Sequence, residues 1–273
     1  MIQVTKNLFV ETGMVACNVA FLVTGDGVVV IDTPMRPTDA IKFRDEAAKR
    51  GEIKYVVNTE EHADHWQCSH FFPGILITHQ ETRRKLTKET LAGVMARVKM
   101  LDPNGVPLMK DYKVRLPDVT FDENLNFYLG DHTIQLFHLP GHTVGGIGVY
   151  IPEEKAAFTT DIVFHKLKSY LHESNPSHWL NSLQKLWELD TEVIVPGHGD
   201  IIKGKDYLQE EAGIVRAWVD AVKGAIKKGL SLEEAQVQVI CPDPYPKQPM
   251  TPMTEPELNK AIITHLYKLY SKV

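Results

Sequence analysis

The stretch that most constrains this chain is NTEEHADHWQCSH, residues 58–70, which packs three histidines, an aspartate and two glutamates into one segment. It follows directly on IKYVVN, residues 53–58, a short β-branched run that predicts a buried strand. Side chains at the end of a buried strand have a stiff support, which a metal site needs. The candidate ligands here are Glu60, His62, Asp64 and His65. Because alternate residues of an extended chain face one side, the first two could serve one ion and the last two a second.

Three further candidates stand alone, each after an apolar run: His142 in LPGHTVGG, Asp161 in FTTDIV and His198 in VPGHGD. Glycine beside two of them lets the backbone approach closely. Imidazole and carboxylate groups are the ligands of zinc and of similar divalent ions. Most histidines in a chain with 12 of them bind nothing. These residue types, in this order and all at predicted strand ends, nevertheless favour a metal site.

Composition limits the function classes. The chain has 273 residues and a formal net charge of -5, with acidic and basic residues mixed along it, so it lacks the basic footprint of a nucleic-acid binder. No apolar run approaches the ~18 residues of a membrane span. The N-terminus lacks a basic start followed by an apolar run, so we expect a cytoplasmic protein with no membrane partner. The three cysteines are far apart and odd in number, which argues against a disulfide framework.

Predicted strands and helices alternate in both halves of the sequence. Two apolar runs within residues 18–34 are joined by Gly25-Asp26-Gly27, a strong hairpin signal. Helices are predicted over residues 38–50, 82–101 and 176–190, and the spacing of Ser231 and Glu234 predicts a capping box. Residues 102–118 hold three prolines and no clear period, which predicts a long loop. Because the middle is rich in hairpins, two mixed sheets with helices outside fit better than one parallel sheet.

The whole pattern resembles the metallo-β-lactamase superfamily. The matching segments are IDT (31–33), TEEHADH (59–65), PGHT (140–143), TTD (159–161) and PGHG (196–199). The resemblance implies an α+β fold, a four-layer αβ/βα sandwich of two mixed β-sheets flanked by helices. Here it would be a single domain over residues 1–273, with a helical C-terminal segment, 204–273. It also implies a binuclear site whose first ion is held by Glu60, His62 and His142 and whose second is held by Asp64, His65 and His198, with Asp161 bridging.

The departure from the family pattern is Glu60, because the family usually has histidine at this position. A carboxylate oxygen binds zinc at about the same distance as an imidazole nitrogen, so Glu60 could be a working ligand. The alternative is a weak first site and an effectively mononuclear enzyme. Glutamate lowers the net charge of the site by one and shifts its preference toward iron or manganese. The expected cofactors are two divalent ions, zinc before iron or manganese. Glu61, between the ligands, is expected to be exposed, and Cys68 to be a buried structural thiol.

Together these features predict a metallo-hydrolase. A metal-bound hydroxide would attack the carbonyl of a small-molecule ester, lactone, thioester or amide, or a phosphoester. Asp64 could both bind metal and orient the hydroxide. Tyr170 and His172, in the loop after Asp161, are candidates for substrate contact or oxyanion support. Two alternatives stay open: an iron-dependent, dioxygenase-like redox enzyme of the same fold, and a catalytically silent metal- or ligand-binding member. The resemblance is also compatible with a homodimer.

Overall fold

The structure is a computed structural model that describes residues 1–249 and 251–271. Its strands are β1 (Ile2–Gln3), β2 (Leu8–Glu11), β3 (Val19–Thr24), β4 (Gly27–Ile31), β5 (Ile53–Val57), β6 (Ile75–His79), β7 (Val119–Phe121), β8 (Asn124–Leu129), β9 (His132–His138), β10 (Ile147–Ile151), β11 (Ala156–Phe158), β12 (Phe164–His165), β13 (Val193–Val195), β14 (His198–Gly199) and β15 (Ile202–Lys203). Its α-helices are α1 (Pro37–Ala48), α2 (Ala63–Trp66), α3 (Gln80–Leu86), α4 (Leu91–Leu101), α5 (Pro176–Glu188), α6 (Asp206–Lys227), α7 (Leu232–Gln238) and α8 (Glu255–Tyr270). Short 3₁₀ turns lie at Ser69–Phe71, Pro103–Met109, Pro152–Glu154 and Thr160–Ile162.

Two mixed β-sheets occupy the centre of the molecule. In the first, β1 to β7 follow in chain order, antiparallel up to β4 and parallel from β4 onward. The second has the order β15-β13-β11-β10-β9-β8, in which β11 and β13 pair parallel and the other neighbours antiparallel. The predicted hairpin is the β3–β4 turn, where Thr24 is opposite Gly27 and Gly27 has a φ of 143°.

The layers follow from the alternation of apolar side chains along the strands. Side chains from the facing sides of both sheets form one buried cluster, including Leu22 and Val29 of the first sheet and Leu136 and Val149 of the second. On the outer face of the first sheet, Phe43 of α1 packs against Phe21. On the other side, α5, α6 and α8 share a third cluster with Ile194 of β13. Helices thus cover both outer faces, and the predicted αβ/βα sandwich is confirmed.

One helix prediction was wrong. The expected helix over residues 82–101 is two helices, α3 and α4, separated by residues 87–90. Thr90 causes the break, because its Oγ1 accepts the Gly93 N–H at 3.1 Å and so caps α4. Part of the predicted long loop, Pro103–Met109, forms a 3₁₀ turn in which Asp102 accepts the Gly105 N–H at 3.2 Å.

Among the described residues from 204 onward, most belong to α6, α7 and α8. Helix α5 begins after Asn175, whose Oδ1 accepts the Ser177 and His178 N–H groups, and the Ser231–Glu234 capping box is present. The irregular stretch joining α7 to α8, residues 239–249 and 251–254, is called the α7–α8 segment below. None of the described helices is both long enough and apolar enough to cross a bilayer.

Candidate metal centre

Strand ends bring the predicted ligands together. Glu60 and His62 lie just after β5, and α2 carries Asp64 and His65. The other three come from the turn between β9 and β10, the 3₁₀ turn after β11, and β14, which carry His142, Asp161 and His198. Strands of both sheets therefore deliver ligands to one edge of the sandwich, on supports that are buried and rigid.

The ligand atoms form two adjoining groups. In each group every residue offers one atom that lies within 4.8 Å of the others; the groups are Glu60, His62, His142 and Asp161, and Asp64, His65 and His198. Asp161 joins the groups, because its Oδ2 is 3.6 Å from His142 Nε2 and 3.3 Å from His198 Nε2. The structure thus places all seven predicted ligands in one cluster, in the grouping that the resemblance implies. Their binding of metal stays a prediction.

Partners outside the cluster orient three of the imidazoles. His65 Nδ1 is 2.9 Å from Asp32 Oδ2, His142 Nδ1 is 3.0 Å from the Tyr170 carbonyl oxygen, and His198 Nδ1 is 3.1 Å from the Ala16 carbonyl oxygen. Each Nδ1–H has an acceptor, so each Nε2 presents its lone pair to the centre. Such outer hydrogen bonds fix the tautomer and raise the basicity of metal-binding histidines.

Asp32 is the functional residue that sequence reasoning missed. Its carboxylate is buried and accepts from the Thr59 N–H at 2.7 Å and from Thr59 Oγ1 at 2.6 Å, besides facing His65. Its φ of 56° is a left-handed conformation that costs energy for a residue with a Cβ. The signal was the IDT segment after β4, which was part of the resemblance but carried no assigned role.

The carboxylate of Glu60 is oriented with one oxygen toward the other ligands. Glu60 is fully buried, and its Oε2 accepts from Thr143 Oγ1 at 3.2 Å. Its Oε1 lies 2.5 Å from His62 Nδ1 and 3.6 Å from His65 Nε2. Burial opposes ionisation, but the imidazoles of His62, His142 and His65 together outweigh it and hold the pKa of this carboxyl below its usual value. Glu60 is therefore an anionic oxygen donor at the position where the family usually has histidine.

Two buried atoms in the centre make no well-aligned hydrogen bond within the part of the chain that the structure describes. They are His65 Nε2 and Asp161 Oδ1, which face each other at 3.3 Å. Leaving a buried polar atom unsatisfied costs about 1–3 kcal/mol. Burial again opposes ionisation, yet His198 and His65 hold the pKa of Asp161 well below its usual range. An anionic oxygen beside imidazole nitrogens, which would give up their protons to a bound cation, is a donor set that fits a divalent ion.

The structure places the two predicted substrate-contact residues on the wall of one cavity beside the centre. The cavity has a volume of about 320 Å³, and its lining includes Tyr170, His172, Asp64 and His198. The Tyr170 hydroxyl contacts Thr251 Oγ1 and accepts the Gln248 N–H at 3.0 Å, so it is held by the α7–α8 segment. His172 Nδ1 is buried and finds no partner within the described residues. The catalytic roles of both residues stay predictions.

The expectation that Glu61 is exposed was wrong. Its side chain is only 7% exposed, and its Oε1 lies 3.1 Å from Lys85 Nζ of α3. Room for it exists because Gly145 has no side chain: a Cβ there would lie 3.0 Å from Glu61 Oε2. Cys68 is buried, as expected, and its thiol donates to the Met35 carbonyl oxygen at 3.3 Å. Through these contacts, Glu61 and Cys68 help to hold in place the segment that carries the candidate ligands, residues 60–65.

Comparison with known proteins adds sequence relatives. The sequence model of the metallo-beta-lactamase superfamily matches residues 12–198. The hydroxyacylglutathione hydrolase of Bartonella henselae is 35% identical over 89 residues, which are 33% of this chain and 35% of that enzyme. This match therefore spans about a third of that relative's length. The metallo-beta-lactamase type 2 of Elizabethkingia meningoseptica is 28% identical over 207 residues, 73% of this chain and 75% of that enzyme.

Solved structures show the same fold. A metallo-beta-lactamase family protein from Thermus thermophilus has a TM-score of 0.69 and 18% identity, covering 99% of this chain and 95% of that one. The stereoselective inverting sec-alkylsulfatase from Pseudomonas sp. has a TM-score of 0.71 and 14% identity, covering 98% of this chain and 50% of that one. At these identities the likeness establishes the architecture alone.

Proposed function

The chain belongs to the metallo-β-lactamase superfamily, and we propose that it is a metallo-hydrolase that cleaves a carbonyl ester, lactone, thioester or amide of a small molecule. The observation that carries the proposal is the double ligand cluster, joined by Asp161 and open to a cavity of about 320 Å³. This volume is at the small end of ligand pockets, so a small substrate fits it.

The seven side chains would hold two divalent ions, zinc before iron or manganese. The first would be bound by Glu60, His62 and His142, the second by Asp64, His65 and His198, and Asp161 would bridge them. When bound, such ions polarise the oxygen of the scissile bond and lower the pKa of a water ligand from 15.7 toward ~7. The unpartnered His65 Nε2 and Asp161 Oδ1 support this assignment, because an ion would satisfy both.

Asp64 would orient the water that attacks the substrate. Its Oδ2 lies 3.4 Å from His198 Nε2 and 3.9 Å from His65 Nε2, and its side chain is 20% exposed where Asp161 is 6% exposed. Asp64 thus reaches both the centre and the cavity. Its carboxylate can accept a hydrogen bond from an attacking water and keep that water aimed at the substrate carbonyl. Phe164 and Tyr170 supply aromatic surface to the same cavity wall.

A thioester is the first substrate class to test, because one relative is by name a hydrolase of hydroxyacylglutathione. Protein stripped with a chelator should be inactive, and reloading with zinc, manganese or ferrous iron should restore hydrolysis. Asp64→Asn should lower kcat by about a hundredfold or more. His178→Asn, on the exposed surface of α5, is the matched control and should keep its activity. The proposal fails if metal-loaded protein hydrolyses none of the four classes, or if stripped protein is fully active.

A second function has one observation in its favour, the oxygen ligand Glu60, because hard oxygen donors suit iron better than imidazole does. It is an iron-dependent redox enzyme of the same fold. Iron-loaded protein that consumes oxygen with a thiol or persulfide present would support it, and the absence of oxygen uptake would leave hydrolysis.

A further inference from the structure

The cavity beside the centre is built from two parts of the chain. One wall comes from the ligand loops and from residues 164–173. The rest of the lining comes from the α7–α8 segment, through Gln248, Thr251, Pro252 and Met253, beyond the matched residues 12–198. Apart from the candidate metal ligands, the charge on these walls is what can distinguish one small substrate from another.

Within the described residues, no lysine or arginine lines this cavity. The cations around it are engaged elsewhere. Lys247 Nζ donates to the carbonyl oxygens of Gln248 and Thr251, at 3.3 and 3.2 Å. Lys168 Nζ lies 2.8 Å from Glu255 Oε1, and Lys85 Nζ lies 3.1 Å from Glu61 Oε1. A carboxylate or phosphate on the substrate would therefore find no side-chain cation to pair with on the walls.

The cavity does hold an acidic group outside the candidate ligand set, Glu173. Its side chain is 57% exposed at the mouth, and its Oε1 lies 3.5 Å from His172 Nε2. A hydrogen bond with His172 holds the pKa of this carboxyl at about 2, so the group is anionic at neutral pH. Lys85 is close enough for Glu173 to help raise its pKa, but its ammonium already pairs with Glu61. One negative charge is thus left over at the entrance.

The net charge of the metal centre would not offset the negative charge of Glu173. With two divalent ions, the carboxylates of Glu60, Asp64 and Asp161 and one hydroxide, the formal charges cancel, where histidine in place of Glu60 would leave one positive charge. We propose, on the basis of the hydrolytic function proposed above, that the substrate carries a cationic group such as an ammonium, and that Glu173 pairs with that group at the cavity mouth. Glu173 is then a specificity-determining residue, and anionic acyl compounds are poor substrates.

Three thioesters of nearly equal size test this inference. Acetylthiocholine is cationic, 3,3-dimethylbutyl thioacetate is its uncharged isostere, and 4-(acetylthio)butanoate is anionic. For zinc-loaded protein we expect KM to be about fivefold lower for the cationic than for the uncharged compound, as for a partly exposed ion pair, and highest for the anionic one. The preference should weaken between low and high salt, because exposed charges are screened.

Two variants separate the possible causes. Glu173→Gln should bring the KM of the cationic and uncharged compounds together. Glu188→Gln removes the same charge from the outer surface of α5, where Glu188 accepts from Gln184, and should keep their ratio. Equal KM values for the two compounds in the wild type, or a preference that survives Glu173→Gln, would overturn this inference and leave the hydrolytic function intact. No hydrolysis of any of the three would also overturn this inference, and the hydrolytic function would then be decided separately with the ester, lactone and amide classes.

Discussion

At the scale of single residues, Glu60 sets this chain apart from the common family pattern. It is fully buried, one oxygen is held by Thr143, and the other faces His62 and His65. The histidines around this carboxylate already keep it ionised, so what bears on its role is its position: it offers an oxygen within 4.8 Å of the ligand atoms of His62, His142 and Asp161. We therefore propose a working oxygen ligand rather than a vestigial one.

Glu60 should loosen the metal selectivity of the first site. Replacing it by histidine exchanges an anionic oxygen donor for a neutral nitrogen donor, which zinc prefers more strongly than manganese does. In a competitive binding experiment, the ratio of the zinc affinity to the manganese affinity should rise by roughly an order of magnitude in Glu60→His. Glu233→His, on the exposed first turn of α7, serves as control. An unchanged ratio in Glu60→His would mean that Glu60 does not touch the ion.

Asp32 should act through His65. Asp32→Asn suits the left-handed backbone, since asparagine adopts positive φ more readily than most residues, but it removes the anionic acceptor of the His65 Nδ1–H. We expect metal affinity to fall about 10- to 100-fold, as measured with a competing chelator. Asp26→Asn, in the exposed β3–β4 turn, should bind metal as the wild type does. Wild-type affinity in Asp32→Asn would show that His65 needs no such orientation.

At the scale of elements, much of the prediction succeeded because the signals were local. The β3–β4 hairpin, the Asn175 cap of α5 and the Ser231 capping box each depend on a few adjacent residues. The break between α3 and α4 was a local signal that was missed, at Thr90, whereas the error at Glu61 arose because the deciding partner is distant in sequence. Glu61 is buried because Lys85 pairs with it, and no spacing in the sequence connects the two. The cavity wall formed by Thr251–Met253 could not be foreseen for the same reason.

A cluster of three polar side chains, Asn7, His132 and Glu154, links the first sheet to the second. Because one of them is a histidine, the cluster should make the stability of the fold depend on pH. Glu154 accepts from Asn7 Nδ2 at 2.7 Å and lies 2.8 Å from Nε2 of His132, at the start of β9. Burial lowers the pKa of His132, but Glu154 and Asp131 outweigh it, so the net pKa is raised above 6.5. A raised histidine pKa contributes stability that is complete below the ordinary value and is lost as pH rises through the raised one.

The test compares urea unfolding of wild type and His132→Gln at pH 6 and at pH 9. The free energy of unfolding of the wild type should exceed that of the variant at pH 6, and this excess should be smaller at pH 9. His178→Gln, an exposed histidine on α5, should show no such dependence. A difference that is equal at both pH values, or larger at pH 9, would show that the protonated pair does not stabilise the fold.

At the scale of the whole molecule, the residues alone predicted two mixed sheets with helices outside and candidate ligands at strand ends, and the resemblance to the family implied the four-layer architecture and the grouping of the seven ligand positions. The ligand motif is read from adjacent residues, and the single ligands all follow apolar runs. The groups that accept hydrogen bonds from the histidine ligands, outside the ligand cluster, could not be predicted in the same way. Asp32, and the carbonyls of Ala16 and Tyr170, matter through positions that only the folded chain brings beside a histidine. The single-domain organisation, the cytoplasmic location and a homodimer stay predictions.

Metal binding should also stabilise the whole fold, because the ligand cluster exists only in the folded chain. At a free metal concentration of a hundred times Kd, the gain is about 2.7 kcal/mol, so removal of metal with a chelator should lower Tm by about 5–10 °C. Differential scanning calorimetry with and without chelator measures this change in Tm. An unchanged Tm would indicate a member of the family that binds no metal.

The proposed chemistry depends on a two-ion centre that Glu60 completes. Elemental analysis of protein expressed without added metal, in wild type and in Glu60→His, measures the number of ions per chain. We expect close to two ions per wild-type chain, and their identity would separate zinc- or manganese-dependent hydrolysis from iron chemistry. Close to one ion in the wild type, rising to two in Glu60→His, would contradict the two-ion centre and confine the chemistry to the site of Asp64, His65 and His198.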